Sequence, residues 1–281
     1  MRRRRPLATI LVYLAVLALV VTTLAPLVWL FIMSISNTKD LTTVPLAWLP
    51  SRADFGNYLR LTSLAPNSTG EEFLYALRNS LIVSMSATAI ALAAGVPAAY
   101  SFSRYRGRMG LLYSVLGTYM LPPVAFILPL YLAFSALHLL NTIWALVIVY
   151  CSILLPFVTW LLKTNFDAVP IEIEQAARLD GLGPWGVIRY VTLPISKAAM
   201  GTAALFAVLL AWDEFFYALL YTNDIRAKTL PVAIGDFAAG RAIDYSLISA
   251  VGVLASLPPV LIAFVLQKSL IVGLAHGGVK G

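Results

Sequence analysis

Cysteine, histidine and charge are all scarce in this chain, and each scarcity removes a class of chemistry. Cys151 is the one cysteine among 281 residues, so no intrachain disulfide can form. With His138 and His276 as the two histidines, no Cys/His set is present to hold a metal. No Gly-x-x-x-x-Gly-Lys-Ser/Thr phosphate loop occurs, and no glycine is followed directly by lysine, so the chain has no such site for hydrolysing ATP. Charged residues make up 12% and apolar ones 60%, where a soluble domain carries roughly a quarter and a half. Water is therefore not the main solvent.

The net charge of +7 would fit nucleic acid only if the cations lay together on a soluble face. Here they punctuate long apolar runs, which excludes a nucleic-acid partner and makes the charge a matter of membrane topology. Arg2 to Arg5 followed by apolar residues to about Met33 resembles the start of a signal peptide. The apolar stretch far exceeds the roughly 7 to 15 residues of a signal h-region, so it reads as an uncleaved first helix.

Crossing the hydrocarbon takes roughly 20 apolar residues in a helix, because backbone groups find no water there. Segments near 7–33, 76–101, 111–134, 142–162, 199–221 and 246–270 meet that requirement, and predict an all-α polytopic membrane protein in contact with lipid. Of the 20 Lys and Arg residues, thirteen fall in the segments on the side of the N-terminus and seven on the other. Basic residues are retained inside, so the expected topology is N-in and C-in. The outer segment, about 34–75, holds Pro45, Pro50, Pro66 and Gly70 and reads as an irregular cap with short helices.

The inner connection, about 163–197, is longer than the 2 to 8 residues that usually join bundle helices. Glu172 to Gly181 follows Pro170 and carries acids in its first turn, which favours a short amphipathic helix. Asp180-Gly181 and Gly183-Pro184 stop it, and a second helix with Trp185, Ile188 and Val191 should end before Leu193-Pro194. Ala176 and Ala177 leave room for close approach, and the flanking acids can pair with a partner's cations. Periodicity alone fits a docking helix and a passive interfacial helix equally well.

Within the fifth segment lies Trp212-Asp213-Glu214-Phe215-Phe216-Tyr217. A carboxylate there costs several kcal/mol unless it faces a cavity or a partner. On a continuous helix Asp213, Phe216 and Tyr217 would share a face with Leu209 and Leu220. The alternative puts Asp213 and Glu214 at the outer interface with Trp212 as an anchor. Tyr119, Tyr131 and Tyr150 could line a pathway or simply pack. Pro122-Pro123, Pro129, Pro156 and Pro258-Pro259 should kink their helices.

Glu-x-Ala-Ala-x-x-Asp-Gly followed by Leu-Pro, here Glu174 to Pro194, resembles the coupling motif of binding-protein-dependent ABC importer permeases. The tail Gly273 to Gly281 resembles that of the maltose- and trehalose-type carbohydrate permeases. The resemblance covers the whole chain, 1–281, as a single transmembrane permease domain with the type I ABC importer fold. It implies that Glu174, Gln175, Ala176, Ala177, Asp180, Gly181 and Pro194 couple to an ATPase, and that Gly277, Gly278, Val279 and Lys280, in a tail from about 271 to 281, also contact it. Asp213, Phe216, Tyr217, Trp212, Tyr119 and Tyr131 are the candidates for a substrate pathway.

The resemblance further implies a heterodimer with a second permease, two ATPase subunits that bind the ATP and Mg, an extracytoplasmic solute-binding protein, and a place in the bacterial inner membrane. The chain itself would hold no cofactor and be no enzyme. Three positions depart from the family pattern, Asp213 standing where asparagine is frequent. Gln175 stands where glutamate is usual, and Leu182 where alanine is common. The solute implied is an oligosaccharide or disaccharide, with glycerol phosphate or a polyamine as alternatives, and with a channel or membrane scaffold as the reading from a different class.

Overall fold

The computed structural model describes residues 6–45, 48–105, 109–239 and 243–277, with side chains described between 9 and 269. These residues are helical with short connections, and no strand occurs among them. Four long helices carry most of the apolar sequence: α1 (Pro6–Ser34), α4 (Thr69–Arg104), α7 (Ile143–Asp167) and α14 (Tyr245–Gly277). By length and composition these four can cross a membrane, or up to six spans if each of two sharply bent helix pairs counts as one. The chain is a multi-pass membrane protein.

Chain contacts divide into two compact units. In the unit formed by 1–74 and 234–257, the short helices α2 (Thr38–Thr42) and α3 (Gly56–Leu61) make the expected cap. Polar bonds attach it to the helix ends: Asn57 Nδ2 donates to Ser246 Oγ at 2.9 Å, Ser246 Oγ to Ser34 O at 3.3 Å, and Ser34 and Tyr58 hydroxyls meet at 2.6 Å. Gly70 is required where the α4 N-terminus meets α3, since a Cβ would lie 2.3 Å from the carbonyl oxygens of Arg60 and Ser63.

The unit formed by 75–233 and 258–281 is centred on α7, whose Leu146, Leu154, Val158, Leu162 and Phe166 are fully buried. Two stripes of small residues approach it. On α4, Ala87, Ala91, Gly95 and Ala99 recur every fourth position, and a Cβ on Gly95 would come within 2.9 Å of Val158 Cγ1. On α11 (Lys197–Trp212), Ala199, Ala203, Ala207 and Ala211 do the same and are all buried. Small residues at four-residue spacing let helix backbones close up, and in lipid that close packing replaces the hydrophobic drive available in water.

Two apolar segments are broken where continuous spans were expected. The third runs as α5 (Met109–Gly117), a 3-10 turn Thr118–Met120, a second turn Pro123–Phe126 and α6 (Ile127–Ala136), with its two halves bent by 95°. Pro122 and Pro123 supply no N–H to the ladder and the chain breaks there, whereas α7 and α14 continue as helix through Pro156 and Pro258-Pro259, which were also expected to kink. The fifth stops at Trp212 and resumes as α12 (Phe216–Tyr221). Asp213, Phe216 and Tyr217 therefore do not share the continuous helical face that the spacing predicts.

Candidate functional site

The inner connection is ordered by its own sequence. α8 (Ile171–Leu179) starts directly after Pro170. It ends in a Schellman motif, with Leu182 N–H bonding Ala177 O at 3.1 Å and Gly181 N–H bonding Arg178 O at 3.0 Å. Gly181 has φ of +91°, a left-handed conformation that glycine adopts without Cβ strain. α9 (Pro184–Val187) passes into a π-helical stretch, Ile188–Thr192, and then α10 (Leu193–Ile195). Pro194 cannot donate to Tyr190, and Leu193 N–H reaches back to Ile188 O, so the chain widens by one residue and continues. The second helix thus extends past Leu193-Pro194 to Ile195.

Glu174 occupies the inward side of α8 and is 1% exposed. Its Oε1 accepts from Arg104 Nη2 at 2.7 Å and Thr192 Oγ1 at 3.1 Å, and its Oε2 accepts from Arg104 Nε at 3.0 Å and Tyr100 OH at 2.9 Å. A carboxylate offers about four acceptor positions, and all four are filled from within the chain. The expectation that this acid pairs with a partner's cation is thereby corrected. Burial opposes ionisation of Glu174, but the bonds from Arg104, Tyr100 and Thr192 outweigh it and hold the carboxyl below its usual range.

Arg104 also donates to Val169 O at 3.2 Å and to Ser103 Oγ at 3.0 Å. Ser103 in turn donates to Asp167 Oδ1 at 2.6 Å, and Lys163 pairs with Asp167 Oδ2 at 2.7 Å. Ala177 faces inward with Glu174, whereas Gln175, Ala176, Asp180, Gly181 and Pro194 are exposed. Beside them lie Leu179 and Trp185, 89% and 71% exposed. The outer face thus carries apolar anchors among the exposed charges of Glu172, Arg178 and Asp180, while the inner face holds the buried ion pair, so the partners of Glu174 could not be read from α8 alone. A cation at the C-terminal end of α4, where the helix dipole favours it, was the one available signal.

The break in the fifth segment is capped by Glu214. Its Oε1 accepts from Tyr217 N–H at 2.8 Å and its Oε2 from Ala218 N–H at 3.3 Å, satisfying amide groups at the start of α12 that water cannot reach. Tyr150 OH donates to Glu214 O at 3.3 Å. Asp213 caps the C-terminal end of α11 and is exposed, while Trp212 is buried, which does not fit the alternative that made it an interface anchor. Beside the break lies a cavity of 390 Å³ lined in part by Thr118, Tyr119, Phe126, Ser152 and Tyr217. A second, of 240 Å³, is lined by Pro123, Val124, Ile153, Glu214, Phe216 and Tyr217.

Of the pathway candidates, Tyr119, Phe216 and Tyr217 thus come together. Tyr131 lies 6.5 Å from Tyr221 between ring centroids, and Asp213 and Trp212 line neither cavity. Ser152, Thr118 and Phe126 were missed, since nothing in their local sequence distinguishes them from packing residues. Gly277 is the last described residue of α14. Gly278, Val279 and Lys280, expected to reach an ATPase, lie outside the described residues.

Apolar helices, two segments interrupted beside cavities and an ordered connection with exposed Leu179 and Trp185 are the parts a membrane permease needs. The chain belongs to the binding-protein-dependent transport system inner membrane component family, whose model matches residues 91–274. It is 31% identical to the sulfoquinovosyl glycerol transport system permease protein SmoH of Agrobacterium fabrum, over 96% of this chain and 93% of that one. It is 30% identical to the trehalose/maltose transport system permease protein MalG of Thermococcus litoralis, over 99% of each. Among solved structures, a bacterial ABC transporter chain involved in alginate import superposes with a TM-score of 0.78 at 22% identity, over 95% of this chain and 98% of that one. The fold is that of the type I ABC importer permeases.

Proposed function

We propose that this chain is the permease subunit of an ATP-driven importer of an oligosaccharide or disaccharide, set in a bacterial inner membrane with N- and C-termini inside. Full-length similarity to permeases named for trehalose/maltose and sulfoquinovosyl glycerol transport supports the sugar. The observation that carries the coupling role is the exposed face of α8 and α9, from Gln175 and Ala176 through Asp180 and Gly181 to Trp185, held rigid from behind by the buried Glu174. Leu179 and Trp185 are apolar anchors of the kind that protein interfaces bury.

Two ATPase subunits, binding ATP and Mg, would dock on this face, and a second permease would complete the pathway. The tail residues Gly278 to Lys280 would add to the ATPase contact. Closure of the ATPases shifts the permease between inward- and outward-facing states, and a solute-binding protein delivers the sugar from outside. The 390 Å³ cavity falls in the range of small-molecule sites. Its Tyr119, Phe126 and Tyr217 rings suit the apolar side of a sugar, while Ser152 and Thr118 hydroxyls suit its polar edge.

The test is ATP hydrolysis by the complex reconstituted with its ATPase and binding protein. Stimulation by one member of a di- and oligosaccharide panel, lost in Leu179→Glu and Trp185→Ala, is the expected result. Stimulation by glycerol phosphate or a polyamine instead would move the solute class. Failure of any ATPase to associate would overturn the importer reading in favour of a channel or scaffold.

A further inference from the structure

We infer that the Arg104–Glu174 ion pair is the joint that passes displacement of α8 to α4, with Glu174 acting inside the permease and not on the ATPase. This rests on the importer reading proposed above. All four acceptor positions of Glu174 are filled at 2.7 to 3.1 Å by α4 and the π-helical stretch. The carboxylate is 1% exposed and the Arg104 side chain 8%, so neither is presented to a second protein. Arg178 also donates to Tyr100 OH at 3.1 Å, adding a second connection from α8 to the same helix.

A charge pair can act as a joint only if something rigid lies on each side of it. On one side α8 is fixed by its Schellman motif and by Thr192, which the π-helical widening places opposite Glu174. On the other, α4 stays helical from Arg104 to Ala91 although Pro97 removes one bond of its ladder, and it packs so closely on α7 that Gly95 has no room for a methyl group. The direct covalent route from the docking segment to α11 bends by 84° beside Ser196, a poor path for force. The short route from an exposed docking face into the bundle is therefore through Glu174 and Arg104. Coupling of this sort needs a contiguous element that moves as a unit, not nearness alone.

The experiment uses the whole complex with Arg104→Gln, Glu174→Gln and the double Gln variant, measuring ATPase co-purification, solute-stimulated hydrolysis and solute uptake. Both single variants should retain the ATPase. Uptake per ATP hydrolysed should fall about tenfold in each, within the range of coupling energies between linked sites. The double variant should be no worse than the worse single one, because each removes the same joint.

Loss of ATPase binding in Glu174→Gln but not in Arg104→Gln would place the carboxylate on the partner and overturn the inference. So would additive losses, or uptake per ATP within about twofold of wild type in both single variants. Removing one member of a buried pair can prevent accumulation altogether, so Tyr100→Phe and Thr192→Val, each trimming one bond to Glu174, serve as the second set. They should uncouple in the same direction but less, and unchanged uptake per ATP in both would equally overturn the joint. Failure of the importer reading would show in the wild type, as absent solute-stimulated hydrolysis. Failure of the joint shows only in the variants.

Discussion

Glu174 and Glu214 are both carboxylates in an apolar chain, and their bonding makes them different objects. Glu174 is held ionised by Arg104, Tyr100 and Thr192 against the cost of burial. Because its carboxyl gives up its proton more readily in the folded state than in the unfolded one, its contribution is complete above the ordinary glutamate value of 4.5. It is lost as pH falls through the lower folded value. Amide exchange of α8, corrected for intrinsic rate, should show constant protection from about pH 7 to about pH 5 and loss only at more acidic pH. Protection that already fades near pH 6 would contradict the bonding described. Glu214 instead caps α12, so Glu214→Ala should cost about 1 kcal/mol of stability, the usual worth of a helix cap. Glu214→Gln, which keeps an acceptor oxygen, should cost less, and thermal unfolding in detergent compares the two. Equal losses would show that the Tyr217 and Ala218 amides do not depend on that oxygen.

Among the elements, the alanine stripes carry a sharper expectation than the hydrophobic residues around them. Gly95→Val would drive methyl groups into Val158, where even a single Cβ is too close at 2.9 Å. Overpacking typically costs about 1 to 3 kcal/mol. Ala207→Leu, at a fully buried position of α11, should cost a similar amount, whereas Val260→Leu, 58% exposed on α14, should be near neutral. A detergent melt of the three variants decides this, and a tolerant Gly95→Val would mean that α4 and α7 stand further apart. The positions of the long helices were legible because twenty apolar residues in a row have few other solutions. The Pro122-Pro123 break was legible as a kink, although its 95° turn depends on packing beyond the dipeptide. The break at Asp213 to Phe215 was not legible, since it contains neither glycine nor proline. It exists because Glu214 can serve the α12 amides and Tyr150, distant in sequence, can hold its carbonyl. Local propensity records neither contact.

For the molecule as a whole, orientation follows from charge counted across all the loops, and it decides whether the α8 face can meet an ATPase. The coupling pattern from Glu174 to Pro194 was visible because its residue types and spacing are unusual in a membrane loop. Which of its acids turns inward was not, because that depends on Arg104, 70 residues away in sequence. The proposed N-in arrangement would put Leu59 outside and Leu179 inside, and both are well exposed, at 74% and 89%. The single native cysteine, Cys151, is buried, so a Cys151→Ser background gives a clean chain for single-cysteine labelling. A membrane-impermeant thiol reagent added to intact cells should label Leu59→Cys and spare Leu179→Cys. In inverted vesicles the pattern should exchange. Labelling of Leu179→Cys from outside would reverse the topology, remove the α8 face from any cytoplasmic ATPase and leave the exposed Leu179 and Trp185 to be explained by an extracytoplasmic partner. Retention of the expected pattern would leave the exposed Leu179 and Trp185 facing the compartment that holds ATP, with a buried ion pair behind them, as energy transfer from a separate motor subunit requires.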